Sequence, residues 1–141
     1  MDHVSVVVDD LPAAIAFFTT LGMALEGEIP VEGPWVDRLC GLEGVQVDIA
    51  MMRTPDGHGR VELTKFRNPE LVGAEPAIAP PNTLGLRQIM FAVEDIDDTV
   101  ARLRVHGAEL VGEMAQYEDR YRLCYMRGPA DIIVALAEEL F

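Results

Sequence analysis

The first twenty-two residues carry a strand pattern followed by a helix pattern. His3 to Val8 is rich in valine and predicts a buried strand. Leu11 to Leu21 places its apolar residues on one helical face, with Asp10 positioned to cap the helix and Pro12 in the first turn. Gly22 is suited to end this helix. The chain therefore opens with a β-α pair.

Three further strands are predicted in the first half. They are Met23 to Glu28, Val45 to Arg53 and Arg60 to Phe66, each with apolar residues at strand spacing. Between the first two of them, Ile29 to Gly44 is interrupted by proline and glycine and predicts a long irregular loop. Long loops of this kind commonly carry function. The predicted order of elements is βαβββ.

The second half repeats this order. Leu11 aligns with Ile96 and Gly22 with Gly107, at an offset of 85 positions. The last strands correspond at an offset of 73, so the second half lacks twelve residues, which we place in the loop after its second strand. Such an internal repeat predicts a duplicated module. The predicted elements are a strand at Leu86–Val93, a helix capped by Asp95, and strands at Glu109–Gly112, Asp119–Met126 and Ile132–Ala137.

The repeat predicts one compact domain made of two modules. The first spans residues 1–66, the second spans residues 86–141, and a proline-rich connector occupies residues 67–85. With 141 residues, of which 50% are apolar, the chain is long enough to bury a substantial core.

The net charge of the chain limits the kinds of partner that it can bind. Eleven Lys and Arg against 24 Asp and Glu give a net charge of −13. Nucleic acid and anionic membrane surfaces would be repelled, so we expect neither as a partner. No apolar run is long enough to span a bilayer, and the first strand leaves no room for a signal peptide, so we expect a cytoplasmic protein. Cys40 and Cys124 show no metal-motif spacing and are expected to be reduced thiols.

Five segments carry a resemblance to a known family: Asp2-His3-Val4, Phe17 to Gly22, Pro55-Asp56-Gly57, Val61-Glu62-Leu63 and Gly128-Pro129. With these segments in a βαβββ repeat, the chain resembles the vicinal oxygen chelate superfamily, which includes glyoxalase I, bleomycin-resistance proteins, extradiol dioxygenases and methylmalonyl-CoA epimerase. The resemblance implies an α+β fold in which two βαβββ modules form a cup-shaped mixed β-sheet with helices on the outside. Members commonly dimerise, so we expect a homodimer.

The resemblance also implies four metal-ligand positions, on the first and fourth strands of each module. In this chain they hold His3, Glu62, Gln88 and Ala135. Imidazole and carboxylate are good ligands for zinc, nickel, iron or manganese, whereas glutamine is weaker and alanine has no donor atom. The expectation is therefore either no cofactor or one divalent metal held by His3, Glu62 and Gln88. Alternatively, Gln88 is a hydrogen-bond partner of His3 or Glu62.

Other side chains are candidates for contact with a small molecule. Trp35 is the only tryptophan and falls in the predicted long loop. Tyr121 and Tyr125 share one face of a predicted strand, and methionines add an adaptable apolar surface. The full set of candidate ligand-binding residues is His3, Ser5, Trp35, Met52, Gln88, Met90, Tyr121 and Tyr125.

Two functions remain open. The missing fourth ligand favours a metal-free protein that binds an aromatic or drug-like molecule, as the resistance proteins of the resembled family do. The alternative is a divalent-metal lyase, isomerase, epimerase or dioxygenase, in which Glu62 is the candidate catalytic residue. A carboxylate on a central strand needs a partner or a wet cavity, and both functions meet that need.

Overall fold

A computed structural model describes residues 1–140 of the chain. The chain divides into two compact units, Met1–Gly73 and Ala74–Phe141, so the boundary falls within the proline-rich connector. Phe141, the last residue of the predicted second module, lies outside the described residues. Each unit contains one four-stranded mixed sheet with a helix packed against it, which confirms the predicted α+β class.

The first unit holds a sheet in the order β1-β4-β3-β2, in which β1 runs parallel to β4 and the other pairs are antiparallel. Helix α1 packs against β2, β3 and β4. The elements are β1 (Val4–Val7), α1 (Leu11–Leu21), β2 (Ala24–Glu32), α2 (Pro34–Cys40), β3 (Gln46–Arg53) and β4 (Arg60–Asn68).

The second unit repeats this topology, with the order β5-β8-β7-β6 and a parallel pair formed by β5 and β8. Helix α3 contacts β8. The elements are β5 (Gln88–Val93), α3 (Ile96–Arg104), β6 (Ala115–Tyr117), β7 (Tyr121–Arg127) and β8 (Ile133–Glu139), with a short 3₁₀ turn at Pro129–Asp131 before β8.

Strand register confirms the two repeat offsets. Val4 pairs with Val61 in the first unit, and Ile89 pairs with Val134 in the second. Val4 and Ile89 are 85 positions apart, and Val61 and Val134 are 73 positions apart. The parallel pairs of the two units therefore have equivalent register, as the repeat predicted.

The placement of the twelve missing residues needs a small correction. Met52 pairs with Val61, and Met126 pairs with Val134, so the third strands correspond at an offset of 74. Eleven of the missing residues therefore precede the third strand, and the twelfth is missing from the hairpin that joins the third and fourth strands.

The predicted loop over Ile29–Gly44 is wrong. Strand β2 continues to Glu32, and helix α2 follows at Pro34. Pro30 is tolerated because β2 is an edge strand, where the missing N–H need not remove a ladder hydrogen bond. Pro34 occupies the first turn of a helix, where its fixed φ is favourable.

The predicted strand at Glu109–Gly112 is reduced to an isolated antiparallel bridge between Leu110 and Met126 of β7. Two backbone hydrogen bonds hold this bridge, from the Val111 N–H to the Tyr125 carbonyl at 2.8 Å and from the Arg127 N–H to the Glu109 carbonyl at 2.9 Å. Strand β6 instead forms at Ala115–Tyr117, where a tight hairpin pairs Tyr117 with Tyr121. Closing a short hairpin has a small entropic cost, which favours this nearer segment.

The core of the first unit lies between α1 and one face of its sheet. Helix α1 buries Leu11, Phe17 and Phe18, and the strands bury Val6 and Leu63.

Both cysteines are free thiols. Cys40 is exposed, and Cys124 lies in the core of the second unit, where burial raises its thiol pKa.

No helix within residues 1–140 is long and apolar enough to cross a membrane.

The helix caps match the sequence prediction. The Asp10 carboxylate accepts a hydrogen bond from the Ala13 N–H at 3.0 Å, and that of Asp95 accepts one from the Asp98 N–H at 3.0 Å. Gly22 ends α1 with a φ of 119°, a backbone conformation that favours glycine.

We predict that Asp10→Ala lowers the free energy of unfolding by about 1 kcal/mol, because the first turn of α1 loses its side-chain acceptor. Urea denaturation followed by circular dichroism measures this difference. Asp10→Asn is the matched control and should retain nearly all the stability, since an amide oxygen also caps. Equal stability of wild-type and Asp10→Ala proteins would contradict the assignment.

Candidate functional site

The sheet of the first unit has two chemically different faces. Val6, Ala50, Met52 and Leu63 point toward the α1 side and are buried. The opposite face, which we call the Glu62 face, carries polar and half-exposed apolar side chains. It consists of Ser5, Val7, Ile29, Ile49, Met51, Glu62 and Thr64, which the strand register places on the same side.

The Glu62 carboxylate is held by three neighbours on this face. Its Oε1 accepts hydrogen bonds from the hydroxyls of Ser5 at 3.1 Å and Thr64 at 3.0 Å. Its Oε2 lies 3.3 Å from His3 Nε2. The side chain retains 20% exposure, so the carboxylate is oriented by protein donors and still reaches solvent.

His3 is itself oriented by charged residues beside it. Its Nδ1 lies 2.7 Å from Asp2 Oδ2, and the other oxygen of Asp2 contacts the Arg60 guanidinium. The hydrogen bond from His3, followed by the charge of Arg60, holds the pKa of the Asp2 carboxyl below its usual value. We call Asp2, His3, Ser5, Arg60, Glu62 and Thr64 the His3–Glu62 cluster.

Sequence reasoning identified His3, Ser5 and Glu62 and missed the rest of the cluster. Thr64 follows Glu62 by two residues on β4, so strand periodicity places it on the same face. Asp2 and Arg60 carry no such signal, because their contact spans 58 positions and depends on the parallel pairing of β1 with β4.

The cluster supplies two of the donors that a divalent ion requires. Two ligands of one such ion lie about 3 to 3.5 Å apart, and His3 Nε2 and Glu62 Oε2 are separated by 3.3 Å. The Asp2 contact on Nδ1 leaves Nε2 as the ligand atom, which is the usual arrangement of a metal-binding histidine. Among residues 1–140, no group of three His, Cys, Asp or Glu side chains is placed to hold a metal.

The remaining predicted metal positions lie in the second unit. Gln88 begins β5 and pairs with Ile133, while Ala135 pairs with Met90 and is fully buried. Ala135 is thus the register equivalent of Glu62, as the repeat predicted. Ligation by Gln88 remains a prediction.

Two of the predicted ligand-binding residues are placed differently from expectation. Met52 is fully buried on the α1 side of the sheet, because its partner Val61 belongs to that face; it is a core residue. Trp35 lies in helix α2, not in an irregular loop, and its side chain is 55% exposed.

The predicted ligand-binding residues of the second unit share one face of its sheet. Tyr125 pairs with Ala135, which pairs with Met90, so these side chains point to the same side. Gln88 and Tyr121 lie on the same face as Met90 and Tyr125, because every second side chain of a strand points to the same side. Met90 and Tyr121 are exposed, and this face therefore presents apolar and amide groups to its surroundings.

Helix α2 packs on the Glu62 face at the end away from His3. Val36 is buried there in a cluster with Val45 and Val47, against the partly buried Val31, Ile49 and Phe66. Both carboxylate oxygens of Asp37 accept backbone hydrogen bonds, from Gly44 at 3.0 Å and Val45 at 2.8 Å. These contacts anchor α2 to the start of β3.

An open cleft of about 540 Å³ lies beside α2. We call it the Trp35 cleft. It is lined by Pro30, Val31, Glu32, Trp35, Gln46 and Arg67.

Comparison with known proteins identifies relatives of this architecture. Residues 1–135 match the family model described as the Glyoxalase/Bleomycin resistance protein/Dioxygenase superfamily. No curated protein matches the sequence. The crystal structure of a glyoxalase family protein from Bacillus cereus is 54% identical, with a TM-score of 0.95, over 100% of this chain and 94% of that chain.

More distant structures share the fold. A mutant of glyoxalase I from Zea mays is 18% identical, with a TM-score of 0.68, over 99% of this chain and 47% of that one. A mutant of the fosfomycin resistance protein FosX from Listeria monocytogenes, complexed with Mn(II) and a dihydroxypropylphosphonic acid, is 12% identical. Its TM-score is 0.62, over 96% of this chain and 86% of that one.

We predict that the Thr64 hydroxyl and the Glu62 carboxylate are energetically coupled. In a double-mutant cycle of Thr64→Val and Glu62→Ala, the coupling energy should be about 1 kcal/mol, because each single change already removes their hydrogen bond. Urea denaturation of the four proteins measures it.

Thr99→Val is the matched control for this cycle. Its hydroxyl donates to the Asp95 backbone carbonyl, so this change should destabilise the protein without coupling to Glu62→Ala. Additive effects of Thr64→Val and Glu62→Ala would show that the hydrogen bond does not stabilise the fold.

Proposed function

Because the chain belongs to the glyoxalase/bleomycin resistance protein/dioxygenase superfamily, we propose that it binds a small aromatic or drug-like molecule against the Glu62 face. The observation that carries this proposal is a half-buried carboxylate, oriented by two hydroxyls and an imidazole, among exposed apolar side chains. On the sequence alone we also propose a cytoplasmic location and a homodimer.

Glu62 supports the proposal as a polar anchor. A carboxylate has about four acceptor positions, and the hydroxyls of Ser5 and Thr64 occupy two of them on Oε1, while His3 Nε2 lies 3.3 Å from Oε2. A remaining position is available to a hydroxyl or amino group of a ligand. Since its orientation is already determined by the protein, the carboxylate loses little freedom when a ligand binds.

Apolar side chains beside Glu62 support an aromatic body for the ligand. On the same face, Val7 is 47% exposed and pairs with Thr64 in the register, and Ile29 is 58% exposed on β2 at the far edge of the sheet. Exposed apolar side chains on one face commonly mark a binding region. Met51 lies next to Glu62 in the register and adds a flexible, polarisable contact.

The second unit supports binding over metal catalysis. Its equivalent of Glu62 is Ala135, whose methyl group offers no ligand atom and no proton acceptor. An enzyme that moves a carbon-bound proton needs a positioned base, and the second carboxylate of a pair is absent from this position. A binding protein is unaffected by that loss.

We predict that 2-naphthylamine binds more tightly than naphthalene, because its amino group can donate to Glu62. Glu62→Ala should weaken naphthylamine binding by about 10- to 100-fold, the loss expected for a hydrogen bond to a charged group, and leave naphthalene binding nearly unchanged. Isothermal titration calorimetry measures both affinities.

Glu28→Ala serves as the matched control, since Glu28 pairs with Ala50 and belongs to the other face of the sheet. It should change neither affinity. Equal losses of naphthylamine affinity in Glu62→Ala and Glu28→Ala would overturn the proposal. A transition-metal ion that binds tightly at one per chain and is lost in His3→Ala would also overturn it.

The His3–Glu62 pair favours one second candidate, a divalent-metal lyase, isomerase, epimerase or dioxygenase. His3 Nε2 and Glu62 Oε2 would hold the ion together with water, and the sequence predicts Gln88 as a third ligand. A divalent ion at this position would polarise a substrate oxygen or activate bound water. The separation of 3.3 Å and the Asp2 contact on His3 Nδ1 are the observations that support it.

For this candidate we predict binding of one zinc, nickel, iron or manganese ion per chain. Asp2→Asn should weaken metal affinity by about 10- to 100-fold, because it alters the partner that orients His3. Competition with a chromophoric chelator measures the affinity, and His58→Ala, which alters a turn histidine, is the control. The candidate fails if Glu62→Gln leaves metal content and turnover unchanged.

A further inference from the structure

We propose that the Trp35 cleft is a second small-molecule site, which takes a planar heteroaromatic ring with a hydrogen-bond donor and an acceptor on its edge. The site does not rest on the function proposed for the Glu62 face. Arg67, which lines the cleft, follows Glu62 by five residues on β4, or about 16 Å along the strand. The Arg67 end of the cleft therefore lies away from the Glu62 carboxylate.

The indole of Trp35 is an exposed aromatic surface in the cleft. A ring that is 55% exposed leaves much of its apolar surface in water, and stacking of a second ring removes that surface. One edge of the indole rests on Gly33, where an added Cβ would lie 3.4 Å from Trp35 Cδ1. Gly33 has a φ of +125°, a backbone conformation that favours glycine, whereas the added Cβ would make only an ordinary van der Waals contact with the ring.

Helix α2, which carries the indole, is anchored to the sheet. The residue after Trp35, Val36, is 5% exposed and packs into the valine cluster beneath α2. Asp37 ties the same helix to the backbone of Gly44 and Val45. A ring that stacks on Trp35 therefore meets a platform whose position is already determined, which lowers the entropic cost of binding.

Polar side chains of the cleft retain unused hydrogen-bonding groups. Glu32 Oε2 accepts a hydrogen bond from Gln46 Nε2 at 2.9 Å, and within residues 1–140 no donor reaches Glu32 Oε1. Arg67 Nε lies 3.2 Å from Asp48 Oδ2, and its terminal nitrogens have no partner among the described side chains. The cleft thus offers one free acceptor and free donors around an aromatic surface.

These features together select the ligand class. One carboxylate and one guanidinium line the cleft, and Asp48 pairs with that guanidinium, so a strongly anionic ligand is disfavoured. A ligand that donates a hydrogen bond to Glu32 and accepts one from Arg67 needs a donor and an acceptor on the same edge of its ring. A nucleobase and a pyridine carboxamide both have this arrangement. The volume of about 540 Å³ is within the range of small-ligand sites and accommodates a one- or two-ring heterocycle.

The experiment uses the intrinsic fluorescence of the full chain, because Trp35 is the only tryptophan. Adenine and nicotinamide are titrated as probes, with toluene, benzoate and benzyltrimethylammonium as comparison compounds. We expect a saturable change in emission with adenine and nicotinamide, and dissociation constants at least 10-fold weaker for the three comparison compounds.

Single substitutions test which side chains contact adenine. Arg67→Met and Glu32→Gln should each weaken adenine binding by about 10-fold, whereas Arg53→Met, which removes an arginine paired with Glu26 elsewhere on the sheet, should not. Because Arg67→Met also removes the contact with Asp48, its thermal unfolding is compared with wild type. The amide signals of Gln46 and the indole N–H signal of Trp35 are followed by NMR during the titration as a second measurement.

Glu62→Ala separates this site from the one on the Glu62 face, because it should leave adenine binding unchanged. Loss of adenine binding in Glu62→Ala would overturn the proposal of a second site. It would also be overturned by a linear, non-saturable fluorescence change up to millimolar adenine, or by equal affinity for toluene.

Discussion

The parallel pairing of β1 with β4 is the constraint on which the rest of the first unit depends. These strands are joined by more than fifty residues, and their register sets Ser5 opposite Glu62 and Val4 opposite Val61. Because side chains alternate across a strand, a shift of one residue would turn Glu62 into the core and Leu63 out of it. The apolar contacts with α1 therefore determine where the carboxylate lies.

The polar cluster follows from that register and from the requirement that a half-buried charge be paired. Glu62 gains hydroxyl partners from its own strand and from β1, while His3 and Asp2 continue the chain of contacts to Arg60. Each member orients the next. The cluster holds the Glu62 carboxylate in one orientation and leaves it accessible from solvent. Both a binding protein and a metal enzyme need a carboxylate of this kind.

The duplicated topology explains why the two units differ in chemistry. Equivalent register in β1–β4 and β5–β8 preserves the scaffold, but Glu62 is replaced by Ala135 and the long β2 with its following helix is replaced by the short β6. The residues specific to the first unit form α2 and the cleft beside Trp35. Divergence has thus changed side chains and connections while strand pairing remained the same.

The sequence by itself determined the βαβββ repeat, both aspartate caps and the correspondence of Glu62 with Ala135, because these depend on local periodicity and on comparison of the chain with itself. Tertiary structure decided the contacts of Asp2 and Arg60 with the site and the burial of Met52, since they depend on strand pairing across long separations. It also decided helix α2, whose seven residues between glycines carry too weak a local signal. Packing of Val36 on the sheet stabilises that helix, and no local pattern reveals such packing.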